Sequence, residues 1–321
     1  LNQANLLGFG DELSIGYINT TGSNEVDAGY SIPLNPRNGR LNLRYSFTAS
    51  RVIEDPFDIL DINSQTRQYE LSFRQPIIET PTEEFALSWI ASRQESRSVF
   101  LEDLLGESIP FPALGSDEEG ETKVTALRFA QEWSKQGSQQ VFALRSQFSF
   151  GVDLLNPTVS DEGPDSRFFS WQGQAQWVRL LAQDTLLFLR AEAQFSGNPL
   201  LPLEQYGLGG QRTVRGYRKD ALLTDSAILA SAELRLPIYR NTQINGLLQG
   251  LVFVDFGKGW NVELPNPDPN TLVGIGIGLL WRMGDRLTAR LDWGIPLIDI
   301  TDQKNTLQEK GLYFSIRYTA F

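Results

Sequence analysis

Strict alternation of apolar and polar residues, repeated in segment after segment of roughly ten residues, is what most limits how this chain can fold. Residues 41–49 read Leu-Asn-Leu-Arg-Tyr-Ser-Phe-Thr-Ala. In 271–281, Val273, Ile275, Ile277, Leu279 and Trp281 share one side, and Gly274, Gly276 and Gly278 share the other. In 286–295, Leu287, Ala289, Leu291, Trp293 and Ile295 oppose Thr288, Arg290, Asp292 and Gly294. In the last such segment, Leu312, Phe314, Ile316, Tyr318 and Ala320 oppose Tyr313, Ser315, Arg317 and Thr319. Successive side chains of a strand point to opposite sides, so each segment has one greasy face and one wet face.

The pattern predicts about fourteen strands, near 12–19, 25–33, 40–50, 66–76, 84–95, 122–133, 140–152, 167–179, 185–196, 225–237, 247–257, 271–283, 286–295 and 312–320. Most have the roughly ten-residue length that crosses a bilayer as a tilted strand. Helical periodicity is nearly absent, the best helical candidate being Ser98–Leu105 inside a long connection. The longest apolar stretches, Leu247–Val254 and Leu272–Trp281, fall well short of the ~18 residues a spanning helix needs.

A soluble sandwich would also alternate, but it would bury both inner faces in a dry core. Here the polar face is rich in charge: Arg44, Arg74, Arg128, Arg145, Arg190, Glu192, Glu233, Arg235, Asp255, Arg282, Arg290, Asp292 and Arg317. The other face carries Phe85, Trp89, Phe129, Trp133, Phe148, Trp171, Trp177, Trp281, Trp293 and Phe314. Large apolar residues toward lipid and charges toward a wet lumen define a membrane barrel. The connections also alternate. Long ones fall near 51–65, 96–121, 153–166, 197–224, 258–270 and 296–311, and short ones near 34–39, 77–83, 134–139, 180–184, 238–246 and 284–285. Extracellular loops are long and periplasmic turns short in outer-membrane barrels. The expectation is an all-β transmembrane antiparallel β-barrel forming one domain over residues 1–321, in a bacterial-type outer membrane, with outer-membrane lipid against its wall. Its last strand ends on the short-turn side. Closure is expected to join first and last strands, because an open edge would leave backbone groups unpaired in hydrocarbon.

Composition removes several function classes. With no His and no Cys, Ser-His-Asp and Cys-His catalysis and thiolate metal sites are excluded. The net charge of −11 and the lack of a basic stripe argue against a nucleic-acid partner. There is no Gly-x-x-x-x-Gly-Lys-Ser/Thr phosphate loop. The acidic run Asp117–Glu121 reads as a solvated loop and lacks the spaced ligands of a dedicated calcium loop. No cofactor, no metal and no enzymatic activity are expected.

One connection differs from the rest. Gly207-Leu-Gly-Gly-Gln-Arg-Thr-Val-Arg-Gly-Tyr-Arg-Lys-Asp220 is glycine-rich and basic in an acidic chain. It reads either as a surface loop with turn glycines or as a loop folded back into the lumen. In the second reading Arg215 would meet an inward carboxylate. In 246–257, Leu248, Gly250, Val252, Val254 and Phe256 share the lipid side, so Asp255 faces inward. Glu233, on the polar face of the preceding strand, is the rival partner. A planar guanidinium on a carboxylate can form two parallel hydrogen bonds and fix the loop.

These residues carry a resemblance. Thr213-Val214-Arg215-Gly216-Tyr217 resembles the loop motif of the outer-membrane superfamily that holds two-partner secretion transporters, barrel-assembly proteins and the chloroplast-envelope import channel. Phe253-Val-Asp255-Phe-Gly257 resembles its companion strand motif, and Ser231–Ile238 resembles the strand between them. Within the superfamily the chain looks most similar to the haemolysin secretion/activation (ShlB/FhaC-like) transporters, whose early periplasmic turn resembles Asn5–Ser14. The resemblance implies Arg215 paired with Asp255 in the lumen. It also implies a sixteen-stranded barrel with five strands after the motif loop, and periplasmic POTRA domains plus two further strands ahead of this segment, which opens in mid-pattern. The implied function is an outer-membrane pore that secretes an unfolded partner exoprotein and acts as a monomer. A barrel-assembly or import machine of the same superfamily and a passive porin are the alternatives. The family's terminal aromatic has a counterpart in Phe321, one position out of the lipid-facing register of Phe314, Ile316, Tyr318 and Ala320.

Overall fold

The computed structural model describes residues 1–20, 22–52, 61–101, 109–111, 114–160, 163–300 and 306–319. Within these, the chain is an antiparallel sheet of long strands joined almost entirely by nearest-neighbour connections. In chain order the strands are β1 (Asn2–Ala4), β2 (Glu12–Thr20), β3 (Ser23–Pro33), β4 (Arg40–Arg51), β5 (Asn63–Glu79), β6 (Glu83–Phe100), β7 (Ile109–Pro110), β8 (Glu121–Gln136), β9 (Gln140–Gly151), β10 (Phe169–Ala182), β11 (Thr185–Ser196), β12 (Tyr206–Leu208), β13 (Leu222–Thr224), β14 (Ser226–Asn241), β15 (Gly246–Trp260), β16 (Thr271–Met283), β17 (Leu287–Pro296) and β18 (Leu312–Tyr318). Each predicted strand has a counterpart among the longer ones. The short β1, β7, β12 and β13, of two or three residues each, are too brief for periodicity to reveal.

The main sheet runs β1-β2-β3-β4-β5-β6-β8-β9-β10-β11-β14-β15-β16-β17-β18, with β7 added to β6. Register is continuous over most pairs, as in Trp171↔Phe195 and Phe253↔Gly276. Shifts occur at Pro76/Ile78, Leu180/Ala182 and Pro237/Tyr239, all next to short turns. Proline lacks the N–H that the ladder needs, so two of these shifts fall where Pro76 and Pro237 interrupt it. Three findings correct or bound the expectations. Among the described residues β18 pairs with neither β1 nor β2, so the expected seam is not formed here. Ser98–Phe100, the start of the helical candidate, continues β6, because Ser98 and Val99 pair with Ser64 and Asn63. The rest of that candidate at 102–105, and the end of the last segment at Ala320 and Phe321, lie outside the described residues.

Burial is inverted relative to a water-soluble protein. Ile277 and Trp293 are 55% and 50% exposed, while Asp255 and Asp292 are 0% exposed. Leu71, Trp89, Leu144, Phe195, Val254, Leu291 and Phe314 are exposed as well, and Ser72, Ser92, Gln194 and Glu233 are buried. An outward apolar face with no protein partner is stable only against hydrocarbon, where each strand's backbone is satisfied by its neighbours. Aromatic pairs line this face across strands, including Phe142–Trp177 and Trp171–Phe195, stacked at 5.4 and 5.7 Å. The molecule is the wall of a transmembrane β-barrel.

The connection between β11 and β14 shows how the wall curves. On the inner face it reaches Arg128 of β8 through Glu204 at one end, and Asp292 of β17 and Tyr313 of β18 at the other. One loop can touch strands so far apart in the sheet order only if the sheet bends around it.

Candidate functional site

The β11–β14 loop is a folded finger. Its two legs form the small β12–β13 sheet, with Tyr206 opposite Thr224 and Leu208 opposite Leu222, and its tip carries Thr213–Tyr217. Leu208, Val214, Tyr217 and Leu222 pack with Ala227 and Leu229 of β14 and Leu272 of β16 into one buried apolar cluster. The inner wall is therefore not uniformly polar. It carries an apolar seat under the finger, and burying a Leu or Val side chain there contributes about 1.5–3 kcal/mol. Asp225 anchors the root: its carboxylate accepts from the Leu200 N–H at 3.0 Å, the Gln205 amide at 3.0 Å and the Val262 N–H at 2.8 Å.

The structure brings Arg215 to both candidate partners. Nε and Nη2 donate to the two oxygens of Asp255 at 2.7 and 2.8 Å, and the Arg215 backbone N–H donates to the same carboxylate at 3.1 Å. Nη1 donates to Glu233 at 2.6 Å. Arg215 Cζ stands 3.4 Å from the centre of the Phe253 ring, so that motif aromatic forms a floor for the guanidinium. Ser231 Oγ donates to Asp255 at 2.6 Å, steadying the carboxylate from the neighbouring strand. Arg215 is 4% exposed.

The lock is wider than one pair. Arg290 bonds both Glu233, at 2.7 Å, and Asp292, at 2.7 and 3.0 Å, while Arg235 bonds Glu233 at 2.7 Å. Asp292 also accepts from the Gln211 amide of the finger at 2.9 Å. Three arginines thus face three carboxylates; Arg215 and the carboxylates are buried, and Arg235 and Arg290 are half-buried. Desolvating charges is costly, and only a balanced, hydrogen-bonded set of this kind offsets that cost.

Backbone fit seats the tip. Gly216 has φ +105, and a Cβ there would fall 2.9 Å from the Pro296 nitrogen. On β16, a Cβ at Gly274 would lie 1.9 Å from the Arg215 carbonyl oxygen. The inward glycine side of β16, evident in the sequence, is the surface on which the loop backbone rests. Gly257 plays a similar part, since a Cβ there would come within 2.8 Å of Val214. Tyr313 of β18 accepts from the Gly216 N–H at 3.0 Å and donates to the Tyr217 carbonyl at 2.5 Å. The Tyr217 hydroxyl lies between β16 and the segment after β17, 2.9 Å from Val273 O and 3.0 Å from Ile298 O. Reading the sequence alone misses Ser231, Gln211, Tyr313 and the assembly of Arg235, Arg290 and Asp292 around Glu233. Their inward registers were visible, but nothing local tells which strands curl to face the finger.

Among the described residues no group of three or more acidic side chains could hold a metal ion. Asp117 caps its own turn, accepting from the Glu121 N–H at 2.7 Å.

With this geometry in view, comparison with known proteins is informative. Residues 1–280 match the family model described as haemolysin secretion/activation protein ShlB/FhaC/HecB. No curated protein matches the chain. Among solved structures, CdiB from Escherichia coli is similar at TM-score 0.75 and 19% identity, covering 98% of this chain and 57% of that one. CdiB from Acinetobacter baumannii is similar at TM-score 0.73 and 16% identity, covering 99% and 55%. BamA from Haemophilus ducreyi lacking POTRA domains 1–3 is similar at TM-score 0.63 and 14% identity, covering 98% and 65%. The chain therefore spans a little over half the length of the two CdiB structures, and at these identities the likeness is one of fold.

Proposed function

The chain belongs to the haemolysin secretion/activation family ShlB/FhaC/HecB, and from that premise we propose that it forms the outer-membrane pore through which a partner exoprotein is secreted in an unfolded state. The finger at 197–224 is the element that holds the pore in its resting state. The observation that carries this reading is the Arg215–Asp255–Glu233 cluster, which fixes a loop on the lumen side of the wall rather than on the surface. A passive porin needs no such buried lock. At the short-turn end, inward Arg74, Glu84, Glu132 and Arg145 form a second ion-pair group, a charged mouth suited to an extended chain entering from the periplasm. An outer membrane has no nucleotide supply, so folding of the passenger outside would bias its transit. The working protein is taken to be a monomer, with POTRA domains guiding the passenger.

The test pairs two measurements on Arg215→Ala. The variant should insert normally, show altered conductance in planar bilayers and lose export of the passenger. Wild-type conductance and export together would remove the finger from the mechanism. Defective assembly of other barrels in the variant, with no passenger in the medium of the wild type, would favour the assembly alternative.

A further inference from the structure

The outer face carries a basic patch on a chain of net charge −11. At the long-loop end, β4, β5 and β6 run past the apolar band. Their outward residues change from Phe47, Leu71 and Trp89 to Arg51, Arg67 and Arg97, all three exposed. Register groups these cations: Arg51 lies opposite Asn63, and Gln65 opposite both Ala49 and Arg97. The carboxylates opposite Arg67 and Arg97 are Glu95 and Glu121. Both are bonded elsewhere, to Arg93 and Lys123. Among the described residues Arg51, Arg67 and Arg97 make no ion pair.

A cavity of about 430 Å³ opens on this face. Asn24, Arg51, Asn63, Gln65 and Arg97 border it, and among the described residues no carboxylate does. Two guanidinium groups and three side-chain amides border one space, the Asn63 amide also donating to the Asp61 carbonyl at 3.3 Å, and together they hold the donor types that suit a tetrahedral oxyanion. Directly below, toward the membrane centre, the same strands present Tyr45, Tyr69, Leu71 and Trp89. Alongside, the segment 152–158 bulges outward: Thr125 Oγ1 donates to Leu154 O at 2.8 Å, and exposed Leu155 borders the same apolar face as Tyr69 and Ala91.

We propose that this patch binds the phosphate-bearing headgroup of an outer-leaflet lipid, with Arg51 and Arg97 holding the phosphate and Asn24, Asn63 and Gln65 donating to its oxygens. The vertical order of the site selects a lipid over a free anion, because donors stand above an apolar wall that acyl chains already cover, and Leu154 and Leu155 extend that wall. The inference needs only the barrel's place in the outer membrane and is independent of what the pore transports.

The test uses the full chain purified in neutral maltoside micelles, titrated with phosphatidic acid, with diacylglycerol and with inorganic phosphate, bound lipid being read by native mass spectrometry. A cation beside an anionic lipid surface contributes about fivefold in binding, so Arg51→Gln/Arg97→Gln should bind phosphatidic acid about 25-fold more weakly. Arg51→Lys/Arg97→Lys should keep most of the affinity and controls for folding. Leu154→Ser/Leu155→Ser should weaken the lipid and leave inorganic phosphate unaffected. Equal phosphatidic acid binding by wild type and the Gln variant would overturn the proposal. So would full displacement of the lipid by millimolar inorganic phosphate, which would mark a site for free anions.

Discussion

Arg215 and Asp255, forty residues apart in the chain, meet through two parallel side-chain hydrogen bonds of 2.7 and 2.8 Å, with a third bond from the Arg215 backbone N–H to the same carboxylate. The pair ties a loop tip to the middle of a membrane strand, so its loss should release the loop before it harms the wall. Removing Asp255 strips the guanidinium of its paired bonds and leaves a buried set of three arginines with two carboxylates, Glu233 being the one still bonded to Arg215; breaking a buried pair costs up to about 3–5 kcal/mol. In Asp255→Ala the finger should become sensitive to added protease near 209–221 while the strands stay protected. Unchanged proteolysis of the finger would mean that the apolar seat alone holds it.

Arg215→Lys separates charge from shape. A lysine keeps the positive charge but cannot serve Asp255 in parallel and Glu233 at once. The variant should resemble Arg215→Ala in finger protection more than wild type. Full protection by lysine would show that charge balance suffices.

Tyr217→Phe isolates one hydroxyl. The Val273 and Ile298 N–H groups both stand 3.2 Å from the Tyr217 oxygen. Leaving these backbone groups without that partner costs about 1–3 kcal/mol locally. Hydrogen exchange at Val273 and Ile298 should quicken by tenfold or more, while amides in the middle of β9–β11 keep wild-type rates.

Gly274→Ala tests the seat. The added methyl would occupy the position of the Arg215 carbonyl oxygen, so the loop must lift away from β16. The barrel should still fold and resist heat, since the methyl faces the lumen and not the ladder. Conductance should rise toward that of a protein lacking 200–220. Closed-state conductance equal to wild type would place the constriction elsewhere.

Ile277→Arg addresses the lipid face. Ile277 is 55% exposed with outward neighbours Val252 and Trp293 in register. A cation at the bilayer midplane costs about 2–4 kcal/mol in a barrel wall. Urea unfolding from lipid vesicles should report a loss of that size, whereas Gln176→Arg, which places the same cation on the exposed inner face of β10, should show little of a lipid penalty.

The alternating pattern by itself determined the strands, their order and the side each residue faces. It could do so because every membrane strand separates the same two solvents, hydrocarbon and water, and a period of two records that separation locally. Asp255 inward and Val254 outward follow from their own segment alone. What only the tertiary structure decided is which inward residues meet. Arg215 had two candidate carboxylates and bonds both, because β14 and β15 are neighbours whose inner faces converge under one guanidinium. Tyr313, 97 residues beyond Gly216, joins the site only because the sheet curls until β18 passes beside the finger. The apolar seat under Val214 and the rest of the arginine–carboxylate network depend likewise on curvature and loop folding, which arise from packing between distant segments and leave no period in the chain.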